Sequence, residues 1–204
     1  MRGEVLERAR ELRLAGLADT SAGRPVRAAR TLRAAVNLLL AEPPGRDVDA
    51  VRLACLLTLA MAELLTTGLD AANSRLAEAR ALAGDDPELV ARCRCQRGIV
   101  LVRTGDFAQA AGELDVVISE PQWFTVAERA AILVSRAVIS FELGRPAEVE
   151  SMAASAVRLA EEAGDNRLRF MAEHNRGYAR YLTGDLPGAL SAMAAAEELE
   201  ADVF

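Results

Sequence analysis

The stretches "QRGIVLVRTGDFAQAA" (residues 96–111) and "NRGYARYLTGDLPGAL" (residues 175–190) decide the fold, because they share one spacing of small residues. In each, a glycine is followed seven residues later by a second glycine, and five residues after that by an alanine. Small side chains bury little apolar area, so hydrophobic burial does not explain why they recur. Positions three, four and seven apart share one helical face, and the pattern therefore predicts two helices that approach closely.

The second glycine of this pattern occurs five times, at spacings of 45, 37, 39 and 40 residues: Gly23, Gly68, Gly105, Gly144 and Gly184. We interpret it as the bend between the two helices of a hairpin. Shortly after it, four copies have alanine and the fourth has valine: Ala28, Ala72, Ala110, Val149 and Ala189. A helix–turn–helix unit of about 40 residues predicts a solenoid, in which each hairpin covers the apolar face of its neighbour.

Segments with turn-forming residues separate the units, which we place at residues 3–42, 47–83, 86–119, 124–163 and 165–201. Asp86 before Pro87 predicts a helix N-cap, and Thr125 with Glu128 predicts a capping box. No segment alternates in the manner of a strand. Ten helices are predicted, near residues 3–20, 26–41, 48–66, 70–83, 87–103, 107–118, 126–142, 146–163, 167–182 and 186–200.

The order of small residue, glycine, acidic or basic residue and alanine resembles the tetratricopeptide repeat (TPR). The third and fifth copies match it well, whereas the second lacks one turn residue and the fourth has Ala137 and Val149 at small positions. The resemblance implies an all-α, right-handed α-α superhelix of about five TPR-like hairpins, forming a single array over residues 1–204. On an arginine-rich, lysine-free background, it looks closest to the repeats of actinobacterial CHAT-domain proteins, whose downstream domain is a caspase-like protease.

Composition excludes several classes of protein. The net charge is −6 and the chain has no run of basic residues, so nucleic acid is not an expected partner. The longest apolar stretch, "LACLLTLAMAELL" (residues 53–65), is far shorter than the roughly 20 residues of a membrane span. The first residues are charged throughout and do not resemble a signal peptide. Three cysteines without a disulfide framework suit a reducing compartment, and we expect a cytoplasmic location.

Catalytic and metal chemistry are not expected within these residues. Cys93 and Cys95 lie two apart on a predicted helix and point in different directions. His174 is the only histidine and lies two repeats away, so neither a zinc site nor a cysteine–histidine pair is formed. We therefore expect no cofactor and no enzyme activity in this chain, and we interpret the cysteines as small buried hydrophobes.

The TPR resemblance implies that the first helix of each hairpin lines a concave binding face. The residues it places there, as partner-binding candidates, are Arg13, Arg92, Cys95, Arg103, Phe141, His174, Tyr178 and Tyr181. By the same rule Cys55, Thr58 and Ala62 would face the groove in the second hairpin. The alternative is that such residues pack inside a tight superhelix. Arg97, Arg136 and Arg176 recur just before the small position, either as a ladder for an acidic ligand or as buried structural ion pairs.

The sequence leaves three functions open. The first is a non-enzymatic scaffold that docks a protein or peptide, including a domain of its own full-length chain, on the concave face. The second is the regulatory or sensor segment of a CHAT protease. The third is a receptor for a small signalling molecule or peptide, which predicts a closed pocket near Tyr178 and Tyr181.

The last predicted helix carries Leu190, Met193 and Leu199 on one face, and the chain continues to Val203 and Phe204. A solenoid needs a polar terminal cap to stay soluble, and this helix lacks one. We therefore expect either that the chain is part of a longer protein or that it associates with itself through this helix.

Overall fold

The structure is a computed structural model that describes the backbone of residues 2–203 and the side chains of residues 3–200. Val203 and Phe204, which the cap prediction also invoked, lie outside the described side chains. Across this part of the chain the secondary structure is helical and contains no strand. The helices are α1 (Arg2–Ser21), α2 (Pro25–Leu40), α3 (Arg46–Leu64), α4 (Leu69–Ala83), α5 (Pro87–Thr104), α6 (Phe107–Ser119), α7 (Val126–Glu142), α8 (Pro146–Ala163), α9 (Asn166–Thr183) and α10 (Leu186–Val203).

The helices form two compact units, with the boundary inside α5: unit 1 is Met1–Val100 and unit 2 is Leu101–Phe204. In unit 1, α1 packs on α2 and α3, and α3 packs on both α2 and α4. In unit 2, α6 packs on α7, α7 on α8 and α9, and α9 on α10. Each unit is therefore built of successive antiparallel helical hairpins.

The five glycines predicted at the hairpin bends all have positive φ, which L side chains rarely adopt: Gly23 (70°), Gly68 (111°), Gly105 (82°), Gly144 (70°) and Gly184 (84°). Glycine removes the steric penalty at these positions and allows the chain to reverse within two to four residues. The predicted helix starts are also confirmed. Asp86 accepts hydrogen bonds from the Glu88 and Leu89 amides, and Thr125 and Glu128 form the capping box.

Helix α3 is the centre of unit 1 and is buried on several sides, which explains its apolar sequence. Leu53, Leu56 and Leu59 are each at most 1% exposed. Cys55, Thr58 and Ala62, which the TPR resemblance placed on the concave face, are all buried. That placement is wrong for the second hairpin, because the neighbouring helices of unit 1 cover this side of α3.

Among the buried or half-buried ion-pair clusters that join helices within the units, three are centred on Glu63, Arg136 and Glu150. In unit 1, the carboxylate of Glu63 is 3% exposed and accepts hydrogen bonds from Arg33 and Arg75. In unit 2, Arg136 is 5% exposed and donates to Asp115. The third cluster, which joins α9 to α8, belongs to the candidate site. The structural interpretation of Arg136 is therefore confirmed.

Two cysteines are buried in unit 1 and behave as small hydrophobes. Desolvation raises the pKa of the Cys55 and Cys93 thiols from 9.0 to about 11, against an opposing effect of Arg13 on Cys55 and of Arg80 on Cys93. In the unfolded chain these thiols would ionise near pH 9. The folded state therefore binds more protons between about pH 9 and 11, and its stability falls as the pH rises through that window.

We expect this burial to separate the three thiols by reactivity. At pH 8 the half-buried Cys95 reacts with a disulfide reagent first, because Cys55 and Cys93 remain protonated and covered. Counting modified thiols by mass spectrometry in native buffer and in urea measures the difference. Modification of Cys55 in native buffer at the rate found in urea would contradict the prediction.

Candidate functional site

An aromatic face runs along α9, the first helix of the last hairpin. Phe170, His174, Tyr178 and Tyr181 are spaced by four, four and three residues, so they share one side of the helix. Tyr178 is 41% exposed and Tyr181 is 59% exposed, and their rings lie beside one another at an interplanar angle of 32°. The ring centroids of Phe170 and His174, and those of Tyr178 and Tyr181, are each 6.3 Å apart.

A cleft of about 230 Å³ opens beside this face, between α7, α8 and α9. The Phe141 ring on α7 meets the Tyr178 ring edge-on, with centroids 5.1 Å apart and an interplanar angle of 66°. This arrangement is the favourable one for two aromatic quadrupoles and fixes both rings before any ligand arrives. The lining is mostly apolar and consists of Val138, Phe141, Val149, His174, Asn175 and Tyr178.

Ion pairs on the other side of α9 hold the helix that carries the aromatic face. The Nε of Arg176 and the Nε and Nη2 of Arg180 donate to one oxygen of Glu150 on α8, at distances of 3.1, 3.0 and 2.8 Å. The hydrogen bonds to Glu150 raise the pKa of Arg180 above its ordinary value. The predicted structural role of Arg176 is confirmed, and this cluster limits rotation of α9 relative to α8.

Helix α9 also packs closely against α10, on a different side from its contact with α8. A Cβ atom on Gly177 would lie 3.0 Å from the Met193 side chain, so glycine is what lets α9 and α10 approach at this point. Gly177 also follows Arg176 directly. Along α9, the residues that contact α8 and α10 are therefore interspersed with the residues that line the cleft.

The cleft is suited to one large apolar side chain. Binding sites for drug-sized molecules are typically roughly 300–1,000 Å³, and this cleft lies below that range. Its walls exclude water from an inserted side chain, while His174, Asn175 and the Tyr178 hydroxyl group supply hydrogen-bonding groups. Such an arrangement can bind the side chain of a polypeptide and contact its backbone.

The predicted site residues divide into those that meet in unit 2 and those that lie elsewhere. Phe141, His174 and Tyr178 line the cleft together, and Tyr181 lies beside Tyr178. Arg103 is exposed in the last turn of α5. Placement in the same cleft is therefore shown for three of the eight residues, all from α7 and α9.

The remaining three predicted residues belong to unit 1. Arg13 on α1 is half-buried and close enough to Cys55 to influence its thiol electrostatically. On α5, the Nε of Arg92 donates to Glu88 at 3.1 Å, and Cys95 is half-buried. The guanidinium of Arg92 is thus already partnered within its own helix.

Two lining residues, Val149 and Asn175, were not predicted from the sequence, whereas the TPR resemblance also assigns the position of Val138 to the concave face. Val149 was assigned to the close crossing of two helices, where the other four copies have alanine, and its larger side chain also reaches the cleft wall. Asn175 follows His174 and showed no pattern of its own. The signal available for Val149 was its departure from alanine, which marks the hairpin where the repeat differs.

The part of the chain described here contains no helix that is both long and apolar enough to cross a membrane. Within the same residues, no three histidine, cysteine or acidic side chains gather in a way that could hold a metal ion.

Comparison with known proteins identifies the fold. A structure with nearly identical TPR-like repeats, from a kinesin light chain-like protein of Podosopora anserina, matches with a TM-score of 0.66 and 15% identity, over 97% of each chain. MamA from MSR-1 matches with a TM-score of 0.57 and 20% identity, over 96% of this chain and 98% of that one. The apo form of RapI matches with a TM-score of 0.60 and 9% identity, over 95% and 83%.

The scan against protein-family models finds no match, and neither does the search of curated proteins. The structural matches cover 95–97% of this chain and so extend over the helices of both units. The chain therefore has the all-α fold of TPR-like repeat proteins, as the spacing of small residues predicted.

Proposed function

We propose that this chain is a non-enzymatic docking scaffold, and that the cleft between α7, α8 and α9 is where it holds a large apolar side chain of a protein or peptide. The observation that carries the proposal is the Phe141–Tyr178 pair, which is formed in the chain alone and still leaves Tyr178 41% exposed. Exposed tyrosine beside an apolar hollow is typical of an anchor site, because the ring offers contact area at low entropic cost.

The size of the cleft decides how much affinity it supplies. Full burial of one large apolar side chain contributes about 1.5–3 kcal/mol. Micromolar binding needs about 8 kcal/mol, so one anchor does not suffice. We propose that other predicted positions in unit 2, Arg103 and Tyr181, contribute further contacts along the partner segment.

The volume of the cleft favours a polypeptide over a small signalling molecule, since it accommodates a side chain rather than a whole drug-sized ligand. The association with a CHAT protease and the cytoplasmic location stay predictions from the sequence. Both concern the setting of the scaffold, and the docking proposal holds with or without them.

The experiment is a selection from a phage-displayed library of random peptides against the whole chain. We expect the enriched peptides to share one large apolar residue. Tyr178→Ala is expected to weaken binding of a synthesised peptide at least tenfold, because it removes the wall that Phe141 supports. Fluorescence anisotropy of the labelled peptide measures the change.

The matched control is Leu182→Ala. Leu182 lies on the same helix and is 49% exposed, but it does not line the cleft. Its replacement should leave affinity within about twofold. Peptides that bind Tyr178→Ala as tightly as the unchanged protein, or that lose affinity equally in both variants, would place the docking site elsewhere.

A further inference from the structure

The outer face of α10 combines exposed leucines with acidic residues. Leu186 is 54% exposed and Leu190 is 72% exposed, and Glu197 follows on the same side, at spacings of four and seven residues. Glu198 and Glu200 are also exposed. The helix contains no arginine, so its second half is uniformly negative.

The outer face of α2 has the opposite charge and a similar apolar end. Arg27, Arg30 and Arg33 are exposed in its first half, and α2 contains no acidic residue. Leu38 is 38% exposed and Leu40 is 60% exposed near its C-terminus. The apolar end of α2 is therefore its C-terminal end, whereas that of α10 is its N-terminal end.

The two faces match in register when the helices run antiparallel. Leu190 precedes Glu197 by seven residues and Leu38 follows Arg30 by eight, which correspond to about 10.5 Å and 12 Å along a helix axis. With Arg30 beside Glu197, Leu190 lies level with Leu38 along the axis, and Leu186 lies just beyond Leu40. Leu38 and Leu40 are each about 80° to either side of Arg30 around α2, so the two leucines of α10 pack between them.

A groove next to this end of α2 could accept a leucine from α10. It lies between α2, α3 and α4 in unit 1, and measures about 300 Å³. Val36, Leu40, Leu56 and Leu82 form its apolar walls, while Arg52 and Glu78 lie at its rim. The groove lies on the Leu40 side of α2, so a leucine of α10 that packs beside Leu40 meets further apolar surface there.

We propose that a second copy of this chain is the partner of these faces, with α10 of one copy packed antiparallel on α2 of another. Both faces are exposed in the single chain, so the contact joins two molecules. The leucines supply the apolar burial, and the opposite charges of α2 and α10 set orientation and register. In the part of the chain that the structure describes, neither Arg30 nor Glu197 takes part in an ion pair, so both are available for this one.

Sedimentation velocity of the whole chain over a range of concentrations tests the contact. We expect the average mass to rise above the 21.8 kDa of one chain as concentration increases. Leu190→Glu should weaken this association at least tenfold, because it buries a charge among leucines. The matched control, Leu14→Glu, replaces a leucine on α1 that is 58% exposed and should associate as the unchanged protein does.

A charge exchange identifies the two faces. Arg30→Glu and Glu197→Arg should each weaken self-association severalfold, because each places like charges opposite one another. An equimolar mixture of the two variants should restore it, since the reversed α2 of one then meets the reversed α10 of the other. Circular dichroism and melting temperatures confirm that each variant is folded.

The contact is supported if self-association recovers in the mixture and is lost in Leu190→Glu but not in Leu14→Glu. A monomeric mass at every concentration, equal loss in Leu14→Glu, or no recovery on mixing would overturn it. The result is separate from the docking proposal, because Tyr178→Ala should still self-associate and Leu190→Glu should still bind the selected peptide.

Discussion

We expect the double variant Arg33→Ala, Arg75→Ala to lose about 3–5 kcal/mol of unfolding free energy in unit 1. The two arginines are the ion-pair partners of Glu63, whose side chain is only 3% exposed. Arg33 Nη2 lies 2.8 Å from one carboxylate oxygen, and Arg75 Nε lies 3.1 Å from the other. Without them the negative charge of the buried Glu63 side chain has lost both arginines that form ion pairs with it.

Replacing the buried carboxylate instead of the arginines should reduce the free energy of unfolding by a smaller amount. Glu63→Gln removes the buried charge and leaves Arg33 and Arg75 with side chains 51% and 31% exposed, so water hydrates them. We expect a loss of about 1–2 kcal/mol, the range for a hydrogen bond to a charged group. The double variant should therefore lose more free energy of unfolding than Glu63→Gln, because Glu63 is the buried partner.

Urea unfolding followed by two probes measures the difference. Far-UV circular dichroism reports on helices of both units, whereas fluorescence of Trp123, the only tryptophan, reports on unit 2. The double variant should shift a circular dichroism transition to lower urea. Equal losses in the two variants would show that Glu63 is not the buried member of the cluster.

Sequence reasoning predicted the helices well because their boundaries are encoded locally. Asp86, Thr125 and Glu128 satisfy free amides within three residues of themselves, so their roles can be read from short spacings. The bend glycines are local in the same sense, because positive φ is a property of one residue. These signals need no knowledge of which helices pack together.

The ion-pair clusters could not be predicted in the same way, because their members are distant in sequence. Arg33 and Glu63 are 30 residues apart, as are Arg180 and Glu150. The chain offers many acidic residues for each arginine, and only the packing of the hairpins selects one. Asp115, for example, accepts a hydrogen bond from Arg136, which is 21 residues away in the sequence.

Only part of the candidate site could be predicted, because it too combines residues from helices that are separate in the sequence. The TPR resemblance placed His174, Tyr178 and Tyr181 on the concave side of the last hairpin's first helix, and Phe141 at the equivalent position one repeat earlier. Val149 contributes from a second helix, which the rule for first helices does not include. The same rule was wrong for Cys55 because α3 is covered on the side that it assigned to the groove.

Gly16 and Gly177 lie where two helices pack closely, and substitution should change the free energy of unfolding much more at Gly16 than at Gly177. A Cβ atom on Gly16 would lie 2.6–2.9 Å from the three outer carbons of Leu32, which is fully buried between α1 and its neighbours. Every path that relieves this contact moves core atoms. We expect Gly16→Leu to cost about 3 kcal/mol through overpacking, and Gly16→Ala to cost about 1–2 kcal/mol.

Gly177→Ala is the matched control on α9. The new Cβ would meet the Met193 side chain at 3.0–3.2 Å, and an unbranched, half-buried methionine can turn aside. Alanine also gains about 1 kcal/mol of helix propensity over glycine, so we expect a change within about 1 kcal/mol in either direction. Urea midpoints of the variants provide the comparison. A neutral Gly16→Leu would mean that α1 and α2 do not cross at Leu32, and the alignment of the first hairpin with the other four would then be wrong.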